Sequence, residues 1–109
     1  MSNQQKVGAV IVAAGKSQRM GGADKVWALL DEKPILVKVI DTFQKYNLID
    51  QIVVVLSKSN LDRCRQLIAE QGWSKVTGVC VGGKRRQDSV ATGLSRLKDC
   101  QWAVIHDGA

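Results

Sequence analysis

The sequence is short of the residues that build metal centres, disulfide frameworks and single-strand nucleic-acid platforms. Its one histidine, His106, and its three cysteines, Cys64, Cys80 and Cys100, lie far apart, and no Cys-x-x-Cys occurs. Zinc-ligand spacing is therefore absent, and the odd thiol count speaks against a disulfide framework; reduced cysteines are expected. Cys64 and Cys80 fall inside predicted elements and read as small core residues. The five aromatics, Trp27, Phe43, Tyr46, Trp73 and Trp102, are scattered and do not interleave with basic residues. No stacking surface for bases follows, and no specific nucleic-acid partner is expected. No stretch approaches about 18 apolar residues, so no membrane-spanning helix is expected. Lys6 and the apolar run before Ala13-Ala14-Gly15 faintly imitate a secretion signal, but the run is short. A cytoplasmic location is the expectation.

The single proline and the 45% hydrophobic content suit a folded domain rather than a disordered chain. With 109 residues there is enough chain for one domain with one core. Sixteen basic against ten acidic side chains leave a formal charge of +6, which favours an acidic ligand.

The most informative stretch is residues 7–25, VGAVIVAAGKSQRMGGADK. Its first seven residues are apolar except Gly8, rich in Val and Ile, and too short for a typical helix, so they read as a buried strand. A polar loop follows, carrying Gly15, Gly21 and Gly22 with Lys16, Arg19 and Lys25. Small residues let backbone N–H groups approach an anion, and cations at the rim match a polyphosphate. A Walker A loop would need glycine at position 10, which is Val10, and a helix directly after Ser17, where Gly21-Gly22 intervenes. A dinucleotide fingerprint would need glycines where Ser17 and Met20 stand.

Along the rest of the chain, residues 1–6 are polar and expected to fray. Residues 27–30 suggest a short extended piece, and residues 31–34 a turn, with Pro34 at the first position of a helix. Leu36, Val39, Ile40 and Phe43 repeat at helical spacing, and Asn47 is a candidate cap at that helix's end. Residues 51–56 form a second buried strand. Ser59 or Asn60 can cap a helix over residues 61–71 whose inner face is Leu61, Cys64, Leu67 and Ile68, and Gly72 stops it. A third strand covers residues 76–81. After Gly82-Gly83 a third helix runs over residues 86–97, with Val90, Leu94 and Leu97 on one stripe. A fourth strand covers residues 102–105, and His106-Asp107-Gly108-Ala109 follow it.

Strands and helices alternate, which predicts an α/β fold: a Rossmann-like parallel sheet with right-handed crossovers and helices on both faces. Ligands on such sheets bind at the carboxyl ends of the strands. Three unusual segments fall there: residues 13–25, 82–89 and 106–109. In the second, GGKRRQDS, the glycines permit a close backbone approach, and Asp88 and Ser89 near the helix start can cap it or face a ligand. Lys16, Lys84 and Arg85 also fit a role as solvated charges. Gly93 inside the helix costs about 1 kcal/mol relative to Ala, so close packing or a ligand is expected to require it.

The first segment resembles the signature loop of nucleotidyltransferases that activate phosphorylated sugars and alcohols, Ala-Ala-Gly-x-Ser-x-Arg-Met-Gly-x-x-x-Lys. Ala13, Ala14, Gly15, Ser17, Arg19, Met20, Gly21 and Lys25 occupy it in order. The second segment, Gly-Gly-x-x-Arg-Gln-x-Ser-Val-x-x-Gly-Leu, and the strand ending in His-Asp-Gly-Ala narrow the resemblance to the 2-C-methyl-D-erythritol 4-phosphate cytidylyltransferases of non-mevalonate isoprenoid synthesis. Ribitol-phosphate cytidylyltransferases resemble it next; molybdopterin nucleotidyltransferases share the first motif and lack the second. Asp24 departs from the family, many members of which have proline there.

That resemblance implies a nucleotidyltransferase with CTP and 2-C-methyl-D-erythritol 4-phosphate as partners, Mg²⁺ as cofactor and a homodimer at full length. It implies that the backbone of Ala13, Ala14 and Gly15, with Lys16 and Ser17, cradles the nucleotide. Arg19 and Lys25 would be catalytic cations on the triphosphate. Gly82, Gly83 and Ser89 would recognise cytosine, and Asp107 would stand beside ribose and metal. His106 is expected to be structural, since the attacking phosphate needs no general base. Family members continue beyond the position of Ala109 with about as much chain again, bearing much of the acceptor site, a second catalytic lysine and the dimerisation arm. The 109 residues are thus expected to be the truncated N-terminal nucleotide-binding part of one domain, binding CTP weakly and giving no turnover alone. The sheet order implied is 3-2-1-4, with the fourth strand an exposed edge. A reading of another class, a non-catalytic module binding nucleotide or nucleic acid through a basic rim, is separable by base selectivity and salt dependence.

Overall fold

The computed structural model describes residues 5–14, 19–20 and 23–108. The first strand, β1 (Val7–Ala13), is the buried apolar run, with Ala9, Val10 and Ile11 wholly shielded from solvent. Two short antiparallel pairs follow: β2 (Arg19–Met20) with β3 (Ala23–Asp24), and β4 (Leu29–Leu30) with β5 (Lys33–Pro34). Between them Lys25–Trp27 form a 3₁₀ turn. Residues 27–30 are therefore not one extended piece. The hairpin closes through Asp31 and Glu32, both with left-handed φ, of 54° and 69°.

Helix α1 (Ile35–Lys45) starts one residue after Pro34, which occupies the flanking position rather than the first turn. Tyr46, extended, ends it, so Asn47 does not act as the cap. Then come β6 (Gln51–Leu56), a 3₁₀ turn Lys58–Asn60, α2 (Leu61–Gln71), β7 (Val76–Val81), α3 (Arg86–Arg96) and β8 (Trp102–Asp107). Gly72 terminates α2 with φ 66°, a left-handed conformation that glycine adopts without a Cβ clash. Asn60 precedes α2 but makes no side-chain cap bond to it.

The main sheet has the order β7-β6-β1-β8, and all its pairs are parallel. That is the order 3-2-1-4 among its four strands. Alternation along each strand divides the core in two. Ala9, Ile11, Ala13, Ile52, Val54 and Leu56 face α1 and α2, meeting Leu36, Ile40 and Cys64. Val10, Val12, Val53 and Val55 face α3, meeting Val90 and Leu97. A fully buried Leu or Ile contributes about 1.5–3 kcal/mol, so the sheet strands with Leu36 and Ile40 dominate the stability. Leu94 does not join its expected stripe; it is exposed.

Two further expectations change. Residues 5 and 6 are not frayed. The Lys6 N–H donates to Gln101 Oε1 at 2.7 Å, its carbonyl accepts from Gln101 and Trp102, and Gln5 Oε1 accepts from Trp102 Nε1 at 2.7 Å. The fourth strand also extends to Asp107, so His106 and Asp107 belong to β8 rather than to the loop after it. Pairing with β1 carries it on: Ile11 lies opposite His106 and Val12 opposite Asp107.

Candidate functional site

The carboxyl ends of β1, β7 and β8 meet the start of α3. β1 delivers Ala13 and Ala14 there. Ala13 is a buried core side chain facing α1, leaving only its backbone for a ligand; Ala14 is half-buried and packs on the α3 side. Gly15, Lys16 and Ser17 lie outside the described residues. The backbone of Arg19 pairs with Asp24 in the small hairpin, and its side chain lies outside the described part of the structure.

Gly82 follows β7 and donates its N–H to the Leu56 carbonyl at 2.9 Å. Its φ is not left-handed; Gly72 is the glycine with positive φ among the described residues. The reason for glycine here is space. A Cβ on Gly82 would stand 2.8 Å from the Ala14 Cβ and closer still to Ser89 Oγ. Gly82 is therefore packed against both Ser89, one turn into α3, and Ala14, which is far from it in sequence. Ser89 is 1% exposed, and its hydroxyl makes no hydrogen bond among the described residues. Gly83 packs against Asp88 in the turn that opens α3. Asp88 does not face this cluster. Its carboxylate accepts from the Arg85 backbone N–H and Nε, both at 3.2 Å, and from Nη2 at 3.3 Å. Those Arg85 hydrogen bonds hold its pKa below the ordinary carboxylate value. Arg85 is thus engaged rather than simply solvated.

β8 brings the third segment in. Alternation turns Asp107 toward α3 and His106 toward α1. Asp107 Oδ1 accepts from Arg86 Nε at 3.2 Å, joining the second and third segments by an ion pair. His106 stacks edge-on against Phe43, centroids 5.4 Å apart and planes at 71°. That contact borders an apolar groove of about 250 Å³ lined also by Leu30, Ile35 and Val39. The groove lies on the α1 side, away from the Ala14–Gly82–Ser89 cluster.

Lys25 heads a turn on the α1–α2 side of the sheet, where Val26 joins the core and Trp27 bonds to Asn60, four residues past the carboxyl end of β6. It is half-buried and opens the 3₁₀ turn whose next residue, Val26, is fully buried. No group of three or more His, Cys, Asp or Glu side chains among the described residues could hold a metal by itself. Asp107 is a single carboxylate with Oδ1 held by Arg86; magnesium in general binds through one or two carboxylates together with substrate phosphates.

The sequence model of the IspD family, 2-C-methyl-D-erythritol 4-phosphate cytidylyltransferase, matches residues 7–109. The chain belongs to that family. It is 52% identical over 105 residues to the 2-C-methyl-D-erythritol 4-phosphate cytidylyltransferase of Dehalococcoides mccartyi strain ATCC BAA-2266 / KCTC 15142 / 195, covering 96% of this chain and 46% of the relative. It superimposes on the crystal structure of 4-diphosphocytidyl-2C-methyl-D-erythritol synthase from Anaerococcus prevotii with a TM-score of 0.80 at 26% identity, over 95% of this chain and 43% of that one. The inositol-1-phosphate CTP transferase of T. maritima shares the fold, with a TM-score of 0.69 at 18% identity over 96% and 44% of the two chains. The chain spans about half the length of the curated relatives it matches.

Of the three segments singled out in the sequence, the fold brings Ala14, Gly82, Ser89, Arg86 and Asp107 of this IspD-family chain to one end of the sheet. Sequence reasoning gives no role to Arg86, although it stands within the second motif. The ion pair to Asp107 becomes visible only when β8 is laid beside β1. Asn60 and Trp27 are likewise missed, since the first reads as a cap and the second as an extended residue. No helix among the described residues is long and apolar enough to cross a membrane.

Proposed function

We propose that the protein carrying these residues transfers CMP from CTP to 2-C-methyl-D-erythritol 4-phosphate and releases pyrophosphate. The observation that carries this reading is the packing of Gly82 against Ala14 and Ser89, with the Arg86–Asp107 pair at the start of the same helix, in a chain of the IspD family. A phosphate oxygen of the acceptor forms the new bond to the α-phosphorus of CTP, and the bond to pyrophosphate breaks. The attacking phosphate carries about −1.5 to −2 charge near pH 7, so the chain need not supply a base. What it supplies is alignment and charge neutralisation.

In this reading the backbone of Ala13, Ala14 and Gly15, with Lys16 and Ser17, holds the nucleotide. Arg19 and Lys25 hold the triphosphate and the charge that develops at the α-phosphorus. Gly82, Gly83 and Ser89 line the base; a buried hydroxyl without a partner costs about 1–3 kcal/mol, which a polar base edge would offset. Asp107 would hold magnesium, which neutralises phosphate charge when bound. The test has two arms. CTP should raise the melting temperature of residues 1–109 more than ATP or GTP does. A protein of the relatives' length should release pyrophosphate with CTP, Mg²⁺ and 2-C-methyl-D-erythritol 4-phosphate, and Lys25→Ala should slow that release about 10²-fold. Equal stabilisation by every polyanion, fading with salt, would favour the binding-module reading.

A further inference from the structure

Behind Lys25 stands a cluster that the chemistry above does not use. Trp27, two residues on, donates its indole Nε1–H to Asn60 Oδ1 at 2.9 Å. Asn60 is 7% exposed and donates from Nδ2 to Ser57 Oγ at 3.0 Å. The Arg63 guanidinium carbon lies 4.0 Å from the centroid of the Trp27 ring. Asn60 and Arg63, three positions apart at the start of α2, present one face to the same indole. On the other side of the turn, Val26 is fully buried in the α1–α2 core. The Ala28 N–H donates to the Lys25 carbonyl at 3.0 Å, and the Ala28 carbonyl accepts from Ile35 at 2.9 Å. Lys25 thus heads a turn pinned on successive residues to the core, to α2 and to α1.

We propose that Trp27, Asn60 and Arg63 are positioning residues for Lys25. They hold the turn so that the ammonium group is presented to a triphosphate at the carboxyl end of the sheet without an ordering cost on binding. The proposal rests on the nucleotide reading above. A planar amide is suited to this link because Oδ1 takes the indole proton while Nδ2 is anchored on Ser57, so both of its ends are specified. An aliphatic residue of similar size fills the space but holds neither the indole nor Ser57. The cation over the indole adds an attraction that does not depend on that hydrogen bond.

The test compares CTP with cytidine, which lacks the phosphates Lys25 would touch, by calorimetric titration of residues 1–109. Asn60→Leu, and Trp27→Phe, which keeps an aromatic ring and loses the N–H, should each weaken CTP binding about three- to tenfold and leave cytidine binding unchanged. In a Lys25→Ala background the same substitutions should cost nothing further, because coupled residues are not additive. Hydrogen exchange at the Ala28 amide should quicken in both variants while β1 stays protected. Equal losses for CTP and cytidine, or full additivity with Lys25→Ala, would reduce the cluster to a structural contact and overturn the proposal. If Lys25→Ala leaves CTP affinity unchanged, the nucleotide reading fails at Lys25 and the proposal falls with it. Ala28 exchange would then still report whether the clamp holds the turn. Arg63→Gln, an exposed substitution that cannot unfold the core, should give a smaller loss in the same direction, and no loss would remove Arg63 from the clamp.

Discussion

Arg86 reaches from the first turn of α3 to Asp107 at the end of β8, with Nε 3.2 Å from Oδ1. Neither residue is near the other in sequence. The pair ties two of the three motif segments together, and it leaves the carboxylate at the end of the sheet beside a cation rather than alone.

Both side chains are well exposed, so Asp107→Asn or Arg86→Ala should change stability by less than about 1 kcal/mol. Ligand binding should respond more. If Asp107 holds magnesium, Asp107→Asn should abolish roughly a tenfold gain in CTP affinity on adding Mg²⁺, the weight of one charge-assisted contact. Affinity without Mg²⁺ should change little. Titrations with and without the ion check this, and an undiminished Mg²⁺ effect would remove Asp107 from the metal site.

Gly93 and Gly82 should both resist enlargement, for reasons of packing. A Cβ on Gly93 would lie 3.0 Å from Val55 Cγ2 and nearer to Val10 Cγ1. Helix propensity alone predicts that Gly93→Ala stabilises by about 1 kcal/mol. Overpacking against two fully buried valines should outweigh that and give a net loss of about 1–3 kcal/mol. Gly82→Ala should lose a similar amount, and Ser89→Gly should restore part of it by removing the nearest atom. Urea melts of the variants decide the sign, and a more stable Gly93→Ala would disprove the packing account.

Burial pushes the Cys64 thiol up from 9.0 to about 11. The folded state therefore keeps its proton at pH values where the unfolded chain has lost it. Between those two values the unfolded state binds fewer protons, so stability falls as pH rises, by about 1.4 kcal/mol per unit at most. Below pH 9 this contribution is fully present. Cys64→Ala should flatten the alkaline limb of a denaturation series from about pH 8 to 11, and Cys64 should react with thiol reagents far more slowly than the partly exposed Cys100.

β8 ends the sheet with one row of backbone groups unpaired within it, and Trp102 and Val104 are 61% and 40% exposed. Residues 1–109 as a purified chain should associate in a concentration-dependent way, since such an edge templates pairing. Val104→Lys should suppress association without unfolding the chain. Sedimentation velocity over a concentration series checks this, and a monomer at every concentration would refute it.

Local pattern is enough for much of this protein. Val7–Ala13 and Gln51–Leu56 are continuous apolar runs because both sheet faces are covered, and such runs are legible without any partner. The spacing of Leu36, Ile40 and Cys64 announces the faces of α1 and α2, and Gly72 announces an end, because each reports a short-range geometric requirement. The motif residues Ala14, Gly82, Ser89 and Asp107 are legible in the sequence as well. What it does not state is which of them touch, or why. Gly82 reads as permitting a close backbone approach, and the fold shows what comes close, Ala14 and Ser89. Asp107 reads as loop, and pairing with β1 draws it into β8, where strand alternation turns it to Arg86 and turns His106 to Phe43. Asn60 reads as a helix cap, and a tryptophan 33 residues away takes its amide instead. Those outcomes depend on contacts between residues far apart in the chain. Periodicity and turn chemistry carry no information about such contacts, and the packing of α1, α2 and α3 on the sheet decides them.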